Sequence, residues 1–214
     1  MLVHNGFASK IRTTEFRFTN FRMRLILGFV ITAVLPSLCR AQDPVFEVTP
    51  ITSTIKFDVK ASVPIAGNFE KWDAALTFPS SDVTSAVLDI KIQAASVNTG
   101  SGMKNNKLKS KDFFDVEQSP LITFKSTKVE QTGPTTFNVT GDFSIRGVSR
   151  TETLLLTVAG KGTGAGTING TMAFDRKDYG MNSGIPFIKI ADRVEVTVDI
   201  KGDRTSGPPL VFKQ

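Results

Sequence analysis

From residue 45 onward apolar side chains recur at every second position, and this period constrains the fold more than any other feature of the chain. "STIKFDVK" sets Ile55, Phe57 and Val59 on one face against Lys56, Asp58 and Lys60. "AVLDIKIQ" sets Leu88, Ile90 and Ile92 against Asp89 and Lys91. "TFNVTGDFSIRG" alternates Phe137, Val139, Phe143 and Ile145 with Asn138, Thr140, Asp142, Ser144 and Arg146. "RVEVTVDIK" places Val194, Val196, Val198 and Ile200 opposite Arg193, Glu195, Thr197 and Asp199. One apolar and one wet face at a period of two predicts antiparallel strands. Weaker strands are expected at 45–49, 69–78, 121–129, 151–159 and 166–175, punctuated by the turn-forming "PSSD", "QTGP" and "GKGTGAG".

One stretch resists this pattern. "GSGMKNNKLKSKDFF" is rich in Lys and Asn, with Met103, Leu108 and Phe113 among its few apolar residues. We read 102–111 as a short helix or ordered loop between two strands. It ends on a doubled aromatic, Phe113-Phe114, flanked by Asp112 and Asp115. On a strand the two rings would point to opposite faces. One ring is therefore expected to plug the core and the other to pack under the insert, with both acids in solvent or on nearby backbone N–H groups. Many strands at short spacing, without strand–helix alternation, predict a single all-β barrel domain over residues 42–203. The tail 204–214, with Gly207-Pro208-Pro209, is expected to be flexible, with Leu210, Val211 and Phe212 as the residues that could fold back.

Residues 1–41 are read separately. Basic Met23-Arg24 is followed by an apolar run from Leu25 to Leu38 and by Cys39-Arg40-Ala41, which suits cleavage after Ala41. This predicts an export leader and a periplasmic or secreted protein, with Met1 or Met23 as the start. An uncleaved anchor and a lipid-modified Cys39 are the alternatives; the run is short for a membrane helix, and bulky Leu38 stands where lipidation wants a small residue. The segment carries six of the 26 Lys+Arg and one of the 20 Asp+Glu, which leaves 20 bases, 19 acids and a net charge of +1. The basic balance of the whole chain thus belongs to the leader and gives no reason to expect nucleic-acid binding.

The same cut removes His4 and Cys39, the only histidine and the only cysteine. A residue inventory without imidazole or thiol excludes Ser–His–Asp and Cys–His catalysis and disfavours transition metals and haem. No calcium-loop spacing occurs, and "GKGTGAGTING" fits no phosphate-binding fingerprint. No cofactor is expected. The acid pairs Asp112/Asp115 and Asp175/Asp178 are the only candidates for carboxylate hydrolysis, and each sits beside Lys or Arg near a turn. The positive feature is a surplus of large apolar side chains, which on the residues alone reads as core filling or as the wall of a cavity.

Several motifs in order carry a resemblance. "TSTIKFDVK" is followed by "GNFEKWDAALTF", with Gly67, Phe69, Trp72, Leu76 and Phe78. Next come Leu108, Ser110, Asp112, Phe113, Phe114 and Asp115, then Pro120, Ile122, Thr123, Phe124 and Ser126. "VTGDFSIRGVSR" and "RKDYGM" complete the set. Residues 45–201 resemble the YceI-like family of exported polyisoprenoid-binding proteins. The resemblance implies an eight-stranded antiparallel lipocalin-like β-barrel, with the helical insert near 102–112 and a polyisoprenoid or similar long-chain lipid held in an apolar cavity without catalysis. Where relatives often carry histidines this chain has Thr52 and Asn106-Lys107, which argues against any role for imidazole.

The residues expected to line such a cavity are Phe57, Phe69, Trp72, Ile90, Ile92, Phe124, Val139, Phe143, Met172 and Phe174. Met103, Leu108, Met181, Ile185 and Phe187 are expected to shape its mouth, and Phe113 and Phe114 are expected among the ligand-binding residues. Lys104, Lys107, Lys109 and Lys111 either meet a phosphate head group there or form a solvated face. The rival reading is an envelope stress or protein-interaction domain with a filled barrel and no lipid. A homodimer, and transient contacts with a membrane or with envelope proteins, are further expectations.

Overall fold

The structure is a computed structural model of the chain, and it describes residues 45–48, 53–62, 64–160, 164–184 and 188–212. The expected leader, Thr52, Ile185 and Phe187 lie outside the described residues. In chain order the elements are β1 (Val45–Val48), β2 (Thr54–Ala61), β3 (Ile65–Phe69), β4 (Trp72–Thr77), β5 (Val87–Gln93) and β6 (Val97–Asn98). Helix α1 (Gly102–Lys109) comes next, then β7 (Leu121–Gln131), β8 (Thr136–Ile145), β9 (Val148–Ala159), β10 (Ala165–Asp175) and β11 (Ile190–Ser206).

All strand pairs in the sheet are antiparallel, in the order β1-β4-β5-β7-β8-β9-β10-β11-β2-β3-β6. β1 pairs with both β11 (Phe46 with Arg204) and β4 (Val45 with Thr77), so the sheet curls back on itself. Eleven strands are present among the described residues where eight were expected. The difference arises because β11 is 17 residues long and changes partner. Its first part pairs with β2, and its last part, from Gly202, pairs with β1. The branch β2-β3-β6 therefore walls one end of the barrel, and β1 closes the other.

The strands form where the alternation places them. β2 buries Ile55, Phe57 and Val59, and β8 buries Phe137, Val139, Phe143 and Ile145. β8 and β9 are joined by the two-residue turn Arg146-Gly147, with φ of 56° and 73°, the conformation that matches the twist of a tight hairpin. A left-handed arginine is unusual. Here the Arg146 guanidinium donates to the carbonyls of Gly180 and Lys111, tying this turn to the loop after β10 and to the insert.

Candidate functional site

The insert is built first by local chemistry. α1 is polar on most sides and buries only Leu108, so its place is set by the turn at its C-terminal end. The chain folds back there on the helix: Phe114 N–H donates to Leu108 O at 2.9 Å and Asp115 N–H to Ser110 O at 3.0 Å, with Asp115 at φ 51°. Phe113 and Phe114 thus lie in a turn, not a strand, and the rule of opposite faces does not apply. Both rings are buried and both point into the barrel end, whereas one alone was expected in the core. Phe114 packs on Phe69 at 5.9 Å, and Lys107 Nζ sits 5.8 Å from the Phe113 ring centre. Asp112, expected in solvent or on backbone N–H groups, instead pairs with Lys107 at 2.6 Å. Its carboxyl is held below the usual range by the Lys107 hydrogen bond first and by the charge of Lys107 second.

These residues roof a hollow of about 70 Å³. Its walls include Phe57, Phe69, Ile92, Phe143, Phe174 and Val196, one or more from each of β2, β3, β5, β8, β10 and β11. Among the described residues Arg176 is the one charged residue on the lining, and its guanidinium is already committed. It donates to the carbonyls of Met181, Ser183 (3.0 Å) and Ala191 (3.2 Å), and pairs with Asp192 at 2.9 Å. Asp192 also accepts from Lys177 at 2.7 Å, and that bond is the main reason its carboxyl is held below the usual range. The β9–β10 ladder stops at Leu155–Thr171. Where the two strands part, Tyr179 is fully buried against Phe143 (5.4 Å) and Phe174 (5.2 Å) and donates to Glu152 Oε1 at 2.8 Å. Burial first, and the neighbouring Glu152 second, push its phenol far above the ordinary value.

A second hollow of about 110 Å³ occupies the other end and shares no lining residue with the first. Phe46, Phe78, Phe137, Leu156, Ile168 and Ile200 are among its walls, and among the described residues its lining is apolar. The tail, expected to be flexible from residue 204, continues β11 to Ser206 and then returns across this end. Val211 N–H donates to Ser81 O at 2.8 Å and Val211 O accepts from Val83 N–H at 3.4 Å. Leu210 and Phe212 thereby line the hollow, with Phe212 edge-on to Phe137 at 6.2 Å.

Of the residues expected on a cavity wall, Phe57, Phe69, Ile92, Leu108, Phe113, Phe114, Phe143, Phe174 and Met181 line the first hollow. Val139 alone lines the second. Ile90, Phe124 and Met172 are buried but line neither, and half-buried Trp72 packs against the core without reaching either. Phe187 falls outside the described residues. Most of the second hollow went unforeseen. Phe137 stands on the apolar face of an alternating run, but the closing residues Leu210 and Phe212 sit in a proline-rich tail with no period to read. Three acids of the two pairs have local partners. Asp112 pairs with Lys107, Asp175 caps the turn 176–179 through Lys177 N–H, and Asp178 faces Arg150 at 3.7 Å. Met103 is 85% exposed rather than at a closed mouth.

Comparison with known proteins places these features. A UPF0312 protein of Pseudomonas savastanoi pv. phaseolicola is 31% identical over 134 residues, 60% of this chain and 69% of that protein. BcnA of Burkholderia cenocepacia superposes with a TM-score of 0.66 at 28% identity, covering 72% of this chain and 99% of BcnA. A polyisoprenoid binding domain from Saccharophagus degradans, implicated in plant cell wall breakdown, shares the fold with a TM-score of 0.60 over 75% of this chain and 99% of that domain, at 13% identity. The YceI-like domain matches residues 46–202, a span that takes in both hollows' strands, the insert and the Arg176–Tyr179 turn, and the chain belongs to the YceI-like family.

Proposed function

We propose that this protein binds the apolar tail of an isoprenoid or similar long-chain amphiphile inside the barrel and does no chemistry on it. The observation that carries this reading is the lining: two hollows walled by aromatic and aliphatic side chains, with one guanidinium whose donors are used by backbone and Asp192. Such a surface has nothing with which to polarise a bond, and much with which to exclude water. Burying ten methylene-sized groups at about 0.8 kcal/mol each gives roughly 8 kcal/mol before association costs. That gross value corresponds to about micromolar affinity. Lys104 and Lys109 on α1, with Lys111 just after it, are the cations that would meet an anionic head group. The shared fold with a polyisoprenoid binding domain supports the same reading. Residues 1–41, read as an export leader, would place this activity in the cell envelope.

Organic extraction of the purified protein followed by mass spectrometry tests the proposal, together with saturable uptake of an added prenol measured by its co-elution with the protein. A co-purifying prenyl lipid or saturable uptake is the expected result. Repeated lipid-free preparations that take up no prenol would turn the reading over to a protein-interaction domain with a filled barrel.

A further inference from the structure

Neither hollow, as it stands, holds a long tail. At about 110 and 70 Å³, each is of the size that takes a single ring or a short branched segment. What separates them is a layer of side chains at mid-barrel. On β5, Leu88 lines one hollow and Ile92 the other, and Ile90 between them lines neither. The same holds for Phe124 on β7 between Val129 and Ile122, for Met172 on β10 between Ile168 and Phe174, and for Val198 on β11 between Ile200 and Val196. All four are buried. Inward Gly141 and Gly170 make room for the layer: a β-carbon on Gly141 would meet the Phe124 ring, and one on Gly170 would meet Leu154 and Leu156.

We propose that this partition, centred on Phe124 and Met172, is a length stop that sets how much of a tail the barrel accepts. The inference rests on the lipid-binding reading above. From Val59 to Ile55 on the insert side, and from Gly202 to Val198 on the tail side, four strand residues give a depth of ~13 Å before the partition. A tail entering from either end meets it at similar depth. Isoprene units beyond that depth stay in water and add nothing to affinity. An unbranched, polarizable methionine is the member of the layer most readily shortened without strain.

The experiment measures binding of geraniol, farnesol and geranylgeraniol, each one isoprene unit longer than the last, to the wild-type protein, to Met172→Ala and to Phe124→Leu. Wild-type affinity is expected to stay level from geraniol through farnesol to geranylgeraniol, because the shorter tail already reaches the partition. In either variant it is expected to rise by about tenfold or more from geraniol to farnesol. The readout is the ratio between successive prenols, so a general loss of stability in one variant does not mimic the result, and Phe124→Leu serves if Met172→Ala does not fold. A wild-type affinity that climbs along the series, or variants that stay as level as the wild type, would overturn the length stop and leave lipid binding intact. Absence of binding for every prenol would remove the lipid reading and the length stop with it.

Discussion

The ring of Phe124 lies across Gly141, so that a β-carbon on Gly141 would stand 2.8 Å from the ring's Cζ and 2.5 Å from the carbonyl oxygen of Lys125. The ring could swing away, but the carbonyl belongs to the β7 backbone and cannot move without disturbing its ladder. Gly141→Ala is therefore expected to destabilise the fold by about 1–3 kcal/mol, read by chemical denaturation. Phe124→Leu relieves only the ring contact, so the double variant should recover part of the loss and not all. Full recovery would show that the ring alone forbids a side chain there, and additivity would show that the two positions do not touch.

Tyr179 is the lone tyrosine of the chain, so tyrosinate absorbance reports on this one buried phenol. Its folded value lies above its unfolded one because burial and Glu152 both disfavour the anion. The stability this contributes is complete below about pH 10 and is lost as pH rises beyond it. On alkaline titration, tyrosinate is expected to appear only together with unfolding. Tyr179→Phe removes the hydrogen bond to Glu152 and is expected to cost about 1–2 kcal/mol near neutrality. A tyrosinate signal rising near pH 10 with the fold intact would contradict the buried placement.

Lys107 and Asp112 tie the helix of the insert to the turn that carries Phe113. The pair is partly exposed, so its contribution to global stability is small and falls with added salt. Its local effect is the measurable one. Because the Asp112 carboxyl is held low in the folded chain, the stabilisation is present above the ordinary carboxylate value of about 4 and fades as pH falls below it. Amide protection across residues 102–114, taken relative to the intrinsic exchange rate at each pH, is expected to fall below that value ahead of protection in β7 and β8. Asp112→Asn should show the lower protection at neutral pH and lose the acid response. Equal pH responses in the variant and the wild type would assign the effect to other carboxylates.

How far the sequence could be read depended on how long each alternating run is. β2, β5, β8 and β11 declare their inward faces because polar and apolar residues alternate without interruption. In β9 the run Leu154-Leu155-Leu156 has no such alternation, and the structure buries the outer two while leaving Leu155 54% exposed. Phe113-Phe114 defeats the strand rule because a helix end and a tight turn let neighbouring side chains point the same way. Ile90 could be placed on the inner face from its period, and Phe124 and Met172 were expected on a cavity wall. Whether side chains that face inward meet in the middle depends on barrel diameter and on the bare glycines opposite, which no single strand encodes. The far hollow escaped for a related reason: its closure joins Phe212 to Phe137 across 75 positions of sequence.

That closure makes the last prediction. Leu210 and Phe212 cover apolar lining that includes Phe137, Val158 and Ile168, yet the segment is held by backbone hydrogen bonds at Val211 and by the Phe212–Phe137 ring contact. Val211 itself is 61% exposed and contributes little burial. Truncation after Ser206 keeps β11 whole and removes only the returning strand of chain. It is expected to cost about 1–3 kcal/mol, the worth of one or two covered apolar side chains, and to raise the fluorescence of an apolar dye that finds the uncovered hollow. Phe212→Ala should move both measurements in the same direction by less. Val211→Ser, which alters the exposed side chain but keeps the backbone bonds, should leave dye binding unchanged. A truncated protein that binds no more dye than the full chain would mean that the tail rests on the barrel without sealing it.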